Sequence, residues 1–195
     1  MHRRGCARKC LYAPGLFLTN VNNVPRDVTD EPTTTTASQT EPRITFIQAC
    51  WHRDIVDQAR VSFAAEIEKH GIAPDRVDYF EVPGAFEIPL RAKLLSKSGQ
   101  YGAIVASALV VDGGIYRHEF VSSAVIDALM RVQLETEVPI ISAVLTSQNF
   151  HEHGNHGDFF LNHFHIKGGE AASACAAVMQ EEWKTPKTEL RQASA

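Results

Sequence analysis

The chain predicts an α/β fold, a four-stranded parallel sheet with helices on both faces, and three observations predict it. From Ile44 onward, short apolar runs alternate with segments of helical periodicity. Each strand–helix unit takes about thirty residues, the length of a parallel strand plus its crossover helix. The longest apolar run, Ala103 to Val111, is too short to cross a membrane and has the composition of a strand buried on both faces.

The elements follow in order. Ile44 to Cys50 forms the first strand. Asp54 is the expected N-cap of a helix whose face is Val56, Ala59, Phe63 and Ile67, and Gly71 closes it. Val77 to Val82 is the second strand. Pro83-Gly84 ends it, and Ile88, Ala92 and Leu95 mark a second helix that stops near Gly99. The third strand, Ala103 to Val111, is broken by Gly113-Gly114. Val121, Val125, Ala128 and Val132 then make one stripe of a third helix. Pro139 to Leu145 is the fourth strand. An aromatic and histidine-rich stretch from Phe150 to His165 separates it from a last helix, expected from about Gly169 to Trp183.

The first forty or so residues differ in kind. Arg3, Arg4, Arg8 and Lys9 are followed by Pro14, Pro25 and Pro32 and by Thr33 to Thr36. Leu16-Phe17-Leu18 is too short for a signal core and Pro14 interrupts any amphipathic helix. Residues 1–41 are therefore expected to be a disordered tail, 42–185 one domain, and 186–195 a second short tail. A net charge of −4 provides no basic excess for nucleic acid or anionic lipid. Cys6 and Cys10 fall in the tail, while Cys50 and Cys175 read as small buried side chains in a reducing compartment. The cytoplasm is the expected location.

Parallel sheets of this kind bind ligands beyond the carboxyl ends of their strands. That rule selects Trp51-His52, Pro83 to Glu87, Asp112 to His118 and the residues from Thr146 onward. Trp51 suits either a rim aromatic or a flat partner for a heterocycle. In Pro83-Gly84-Ala85-Phe86-Glu87, small residues let backbone amides approach a ligand. Glu87 is either an acceptor for hydroxyls or a carboxylate favoured by the helix start. Gly113-Gly114-Ile115-Tyr116-Arg117-His118 offers glycine amides at a helix N-terminus, a place for a phosphate, without the spacing of a dinucleotide or P-loop site. Arg117 adds a fixed charge and His118 a group that moves protons near neutral pH. His151, His153, His156, His163 and His165 match no recognised zinc spacing, so a solvated or phosphate-facing set is expected and no metal is assigned. Lys167, before Gly168-Gly169, reads either as charge beside amides at a helix start or as a surface lysine.

Laid in order, these turns resemble the lumazine synthase family, over about Ile44 to Glu182. The most specific piece is Val82-Pro83-Gly84-Ala85-Phe86-Glu87-Ile88-Pro89. It is joined by the aromatic after the first strand, the paired glycines after the third, Val144-Leu145-Thr146 and Lys167-Gly168. The resemblance implies a flavodoxin-like three-layer α/β/α sandwich and the condensation of 5-amino-6-(D-ribitylamino)uracil with 3,4-dihydroxy-2-butanone 4-phosphate to 6,7-dimethyl-8-ribityllumazine, without a cofactor. It also implies pentamers with active sites between neighbouring subunits. Trp51 would stack on the pyrimidine, Ala85, Phe86 and Glu87 would hold the ribityl chain, and Leu109, Val110 and Val111 would line the ring pocket. Gly114 and Ile115 would bind the phosphate. His156 falls where the family usually has a phosphate-binding arginine, and Ser142 where it has an aromatic.

Two departures shape the expectations. Arg117 occupies the place of the family's proton-transferring histidine, with His118 one residue later, so His118 or a substrate phosphate is expected to move the proton while Arg117 holds the anion. Between His156 and Lys167 the chain carries Phe159, Phe160, Leu161 and Phe164 where shell-forming members have a shorter kink. These apolar residues suggest a different buried contact, and pentamers paired into a decamer are expected. The alternative, a lumazine- or riboflavin-binding carrier that has lost turnover, rests on the departures at Arg117, His156 and Ser142.

Overall fold

A computed structural model describes residues 41–112, 117–147 and 155–180, with the side chains of Asn155 and His156 outside the description. Four strands, β1 (Arg43–Ala49), β2 (Val77–Val82), β3 (Tyr101–Val111) and β4 (Ile140–Ser147), pair in parallel in the order β2-β1-β3-β4. Helices α1 (Arg53–Lys69), α2 (Ile88–Ser96), α3 (His118–Thr136) and α4 (Asn155–Met179) alternate with them. The strands lie where apolar alternation places them, within two residues at each end. Reversal of strand order between β1 and β3 makes the topological switch at which a crevice opens.

Period-two alternation divides the strand side chains between two cores. Ile44, Phe46, Ala103, Val105 and Leu109 pack against Ala59, Phe63 and Ile67 of α1 and Phe164, Ala172 and Cys175 of α4. Ile47, Ala49, Ile104, Ala106 and Val110 face Ile88 and Ala92 of α2 and Val125, Leu129 and Val132 of α3. The result is the three-layer sandwich, α1 and α4 on one face and α2 and α3 on the other.

Helix α1 ends as Gly71 requires. Its φ of +80° belongs to the left-handed region, its N–H donates to Glu68 O at 2.9 Å, and Ile72 N–H reaches Ile67 O at 3.4 Å. Ile67 and Ile72 are both buried, supplying the apolar contact that accompanies this double bond pattern. The start of α1 differs from expectation. His52, not Asp54, is the N-cap; it adopts φ 49°, ψ 48° and its carbonyl accepts from Ile55 and Val56 N–H, both at 3.0 Å. Asp54 sits inside the first turn, where its carboxylate meets the positive end of the helix instead.

The larger correction is α4. It begins at Asn155, not near Gly169, because Phe160, Phe164, Gly168, Ala172 and Ala176 recur every four residues on the face against α1. Three glycines inside the helix each cost about 1 kcal/mol in propensity, and packing overrides that cost. At Gly168 an added Cβ would lie 2.1 Å from the Ala59 carbonyl oxygen, so glycine is there to let two helices touch. Cys175 is buried in the same seam, and desolvation pushes its thiol up to about 12, which leaves it inert. Cys50 is only partly buried. Among the described residues, no helix is long and apolar enough to cross a membrane.

Candidate active site

Two of the four strand-end places selected from the sequence, Trp51-His52 and Pro83 to Glu87, are wholly described at the carboxyl edge of the sheet, and the other two in part. After β1 the chain leans toward β2, fixed by Cys50 N–H donating to Val82 O at 3.0 Å. The left-handed turn at His52 then redirects it into α1 and leaves Trp51 70 % exposed at the rim. A left-handed non-glycine residue costs on the order of 1–2 kcal/mol, a strain placed next to the indole. The Pro83–Glu87 turn lies beside it. A Cβ at Gly84 would sit 3.2 Å from Glu87 Oε2 and 3.8 Å from Trp51 Nε1, so the indole edge, the bare glycine and the carboxylate converge. Ala85 to Glu87 form a single turn of 3-10 helix, with Phe86 59 % exposed and Ala85 packed against the α2/α3 core.

The register of β3 opens a notch in front of Trp51. Pairing with β1 ends at Gln48 opposite Ser107, whereas pairing with β4 continues to Val111 opposite Ser147. Ala108 to Val111 therefore overhang β1, with backbone groups of their β1-facing edge beyond the last ladder bond. Leu109 and Val110 point into opposite cores and are buried. What they present to a ligand is main chain.

Gly114 and Ile115 lie outside the described residues, and so does His151. Arg117 is resolved as the extended N-cap of α3, with its guanidinium 4.8 Å from the Phe120 ring centroid. His118 opens the helix. Its side chain is mostly buried, and Nδ1 stands 3.7 Å from Glu119 Oε2, an ion pair only when the ring is protonated. Serine 122 bonds back, Oγ donating to His118 O at 2.8 Å.

The charges near these loops are not equivalent. Arg53, two residues after Trp51, grips Glu81 with both terminal nitrogens and lies 3.4 Å from Asp57; the Glu81 hydrogen bond holds the guanidinium above its ordinary range. Lys167 Nζ is paired to Glu170 Oε2 at 2.6 Å. Among the described residues no carboxylate pairs with Arg117, and its guanidinium rests beside the Phe120 ring. Lys167 itself stands in the middle of α4, not at a helix start, so no free amides accompany it. Gly168 serves the α1 contact instead.

The far edge of the sheet holds the remaining candidates. Ser142 pairs with Ala106 in the middle of β4, and its Oγ accepts from Val144 N–H at 3.3 Å. It lies five positions before the strand end, a distance of about 16 Å, and on the side away from β1. Between the last residues of β4 and Phe159, Phe160 and His163 of α4 runs an open groove of about 470 Å³. There the Phe159 and His163 rings stack at 8° with centroids 5.7 Å apart. Sequence reading missed this pair and Phe120; the signal was their i, i+4 and i, i+3 spacing on helices. His70, Ser173 and Glu66 also meet, but His70 uses the same Nε2 toward both partners, so the acid cannot orient the ring as a catalytic triad requires. Among the described residues, no group of three His, Cys, Asp or Glu side chains is placed to hold a metal ion.

Comparison with known proteins places these features. A family model described as 6,7-dimethyl-8-ribityllumazine synthase matches residues 41–182. A 6,7-dimethyl-8-ribityllumazine synthase 2 of Pseudomonas syringae pv. tomato is 54% identical over 158 residues, which cover 81% of this chain and 93% of that one. A 6,7-dimethyl-8-ribityllumazine synthase of Rhodococcus erythropolis is 62% identical over 138 residues, 71% of this chain and 89% of the relative. A 6,7-dimethyl-8-ribityllumazine synthase 2 of Bradyrhizobium diazoefficiens is 62% identical over 134 residues, 69% and 80% respectively.

Proposed function

The chain belongs to the 6,7-dimethyl-8-ribityllumazine synthase family, and from that premise we propose how its residues divide the work of the condensation. It is a transferase of riboflavin biosynthesis; the three relatives are named as synthases, none as a binding protein, and the carrier alternative gains no support. The domain is taken as 42–185, in a cytoplasmic protein, flanked by tails 1–41 and 186–195; the family match over 41–182 supports those limits.

The observation that carries the assignment is the convergence of Trp51, Gly84 and Glu87 beside the β3 overhang, at the switch point. The uracil ring stacks on Trp51 with its polar edge on the backbone of Leu109, Val110 and Val111 beyond the β1 pairing. Ala85 and Phe86 flank the ribityl chain and Glu87 accepts from its hydroxyls. Gly114 and Ile115 bind the phosphate of the ketone in front of α3, whose N-terminus favours an anion.

The ring amine of the uracil attacks the ketone and water leaves as the imine forms. Loss of phosphate gives an enol that tautomerises, and the ribitylamino nitrogen closes on the second carbonyl with loss of another water. Orientation of two bound reactants is worth about 7–11 kcal/mol in favourable cases, so the protein need only hold them and move protons. His118 is assigned the proton transfer and Arg117 the developing anion, because a guanidinium stays protonated. Replacing His118 with Asn is expected to lower kcat on the order of 100-fold or more. Full turnover across pH removes His118 from this role.

Ser142 lies on β4 and Lys167 inside α4, on the β4/α4 side of the fold, which supports giving them, with His156, a place apart from the Trp51 crevice of their own protomer. They are assigned to the site of a neighbouring subunit in a pentamer, Ser142 beside the pyrimidine and the other two toward phosphate. Exposed apolar side chains support association. Phe86, Leu90 and Leu94 recur every four residues, as do Ile126, Met130 and Leu134 on α3. Of the three phenylalanines expected to pair pentamers into a decamer, Phe160 and Phe164 are buried in the protomer's own core, leaving Phe159 and Ile166 exposed for that contact. Light scattering is expected to return the mass of ten 21.5 kDa chains; a mass several times larger, as a closed shell gives, contradicts the decamer.

A further inference from the structure

Phe120 stands beside Arg117 at the start of α3. It occupies the first turn of α3, three residues after Arg117, and is 65 % exposed in the single chain, so the protomer's own core does not account for a large aromatic there. Its N–H donates to the Arg117 carbonyl at 3.1 Å, which closes the first turn and brings the two side chains onto one face. The Arg117 guanidinium stands 4.8 Å from the ring centroid, within the range of cation–π attraction. At Arg60 the same contact accompanies another duty: it lies over Tyr79 and is also within 3.7 Å of Glu81. Arg91 over Phe80, at 4.3 Å, likewise has no carboxylate partner among the described residues, but it lies inside α2, whereas Arg117 is the N-cap of α3.

We infer that Phe120 is a positioning residue for phosphate recognition, holding Arg117 over its ring so that the guanidinium's N–H edge is presented, already ordered, to the phosphorylated ketone. This rests on the assignment of Arg117 to the substrate anion. An arginine reaching from an exposed helix start otherwise samples many rotamers, and fixing it at the moment of binding reduces affinity. An aromatic face restrains it without supplying negative charge. A carboxylate would restrain it as well, but would compete with the phosphate for the same N–H groups. A lysine at 117 gains less from the ring, lacking the planar group that stacks while donating in its plane.

The experiment is steady-state kinetics of the full chain with each substrate varied in turn, for Phe120→Leu, Phe120→Tyr, Arg117→Lys and the Leu/Lys double variant. Phe120→Leu is expected to raise KM for the ketone phosphate about two- to five-fold. KM for the ribitylaminouracil and the melting temperature stay put, Phe120→Tyr restores the original value, and the leucine change adds little once residue 117 is lysine. An unchanged ketone KM in Phe120→Leu, or equal rises for both substrates with a fall in Tm, overturns the inference while leaving Arg117 its role. An unchanged ketone KM in Arg117→Lys overturns the anion assignment itself, and the inference with it.

Discussion

Replacing Trp51 with alanine is expected to raise KM for the ribitylaminouracil about 5- to 150-fold, the range that corresponds to about 1–3 kcal/mol of ring stacking. The side chain is 70 % exposed, so its removal takes little from the core and the melting temperature is expected to hold. KM for the ketone phosphate is expected to hold too, because the proposed anchor of that substrate is the turn before α3. Trp51→Phe keeps a flat face and loses much less. Equal uracil affinity in wild type and Trp51→Ala contradicts the stacking role, whatever happens to stability.

The second large effect concerns the fold. Gly168→Ala places a Cβ 2.1 Å from the Ala59 carbonyl oxygen and 2.8 Å from its carbonyl carbon, both backbone atoms that no rotamer change can move. Helices α1 and α4 must separate, opening the seam in which Phe63, Phe164, Ala172 and Cys175 pack. Helix propensity favours alanine by about 1 kcal/mol, and the overpacking cost exceeds it. A net loss of about 2–3 kcal/mol is expected, lowering Tm by about 4–12 °C. Gly157 in the same helix is the control: a Cβ there meets nothing within 4 Å, so Gly157→Ala is expected to be neutral or stabilising. A rise in Tm for Gly168→Ala measured by calorimetry contradicts the close contact.

The outcome at Gly168 also marks what the sequence could and could not disclose. Strand periodicity is short-range physics, so β2 was legible to the residue, and the turns after β1 and β2 that the sequence selects do lie together at the carboxyl edge. Helix α4 was not legible, because glycine reads as punctuation until its partner helix is known. The Phe160–Phe164–Gly168–Ala172 stripe acquires meaning only opposite Ala59. The β3 overhang depends on where β1 stops pairing, a matter of register across the sheet that no single strand encodes. Leu109 and Val110 illustrate the consequence: their side chains belong to the two cores and only their backbone faces the notch. Ser142, mid-strand in β4, and Lys167, inside α4, lie away from the strand ends and helix starts that sequence order suggested for a ligand.

The crevice between Trp51 and the end of β3 is the centre of this account. A crystal structure with an unreactive nitro analogue of the ribitylaminouracil tests it most directly. The expected result is a pyrimidine ring parallel to the Trp51 indole, with its polar edge on the backbone of residues 109–111 and the ribityl hydroxyls at Glu87. A ring seated instead in the groove beside Phe159 and His163, with Trp51 in contact with solvent alone, contradicts it.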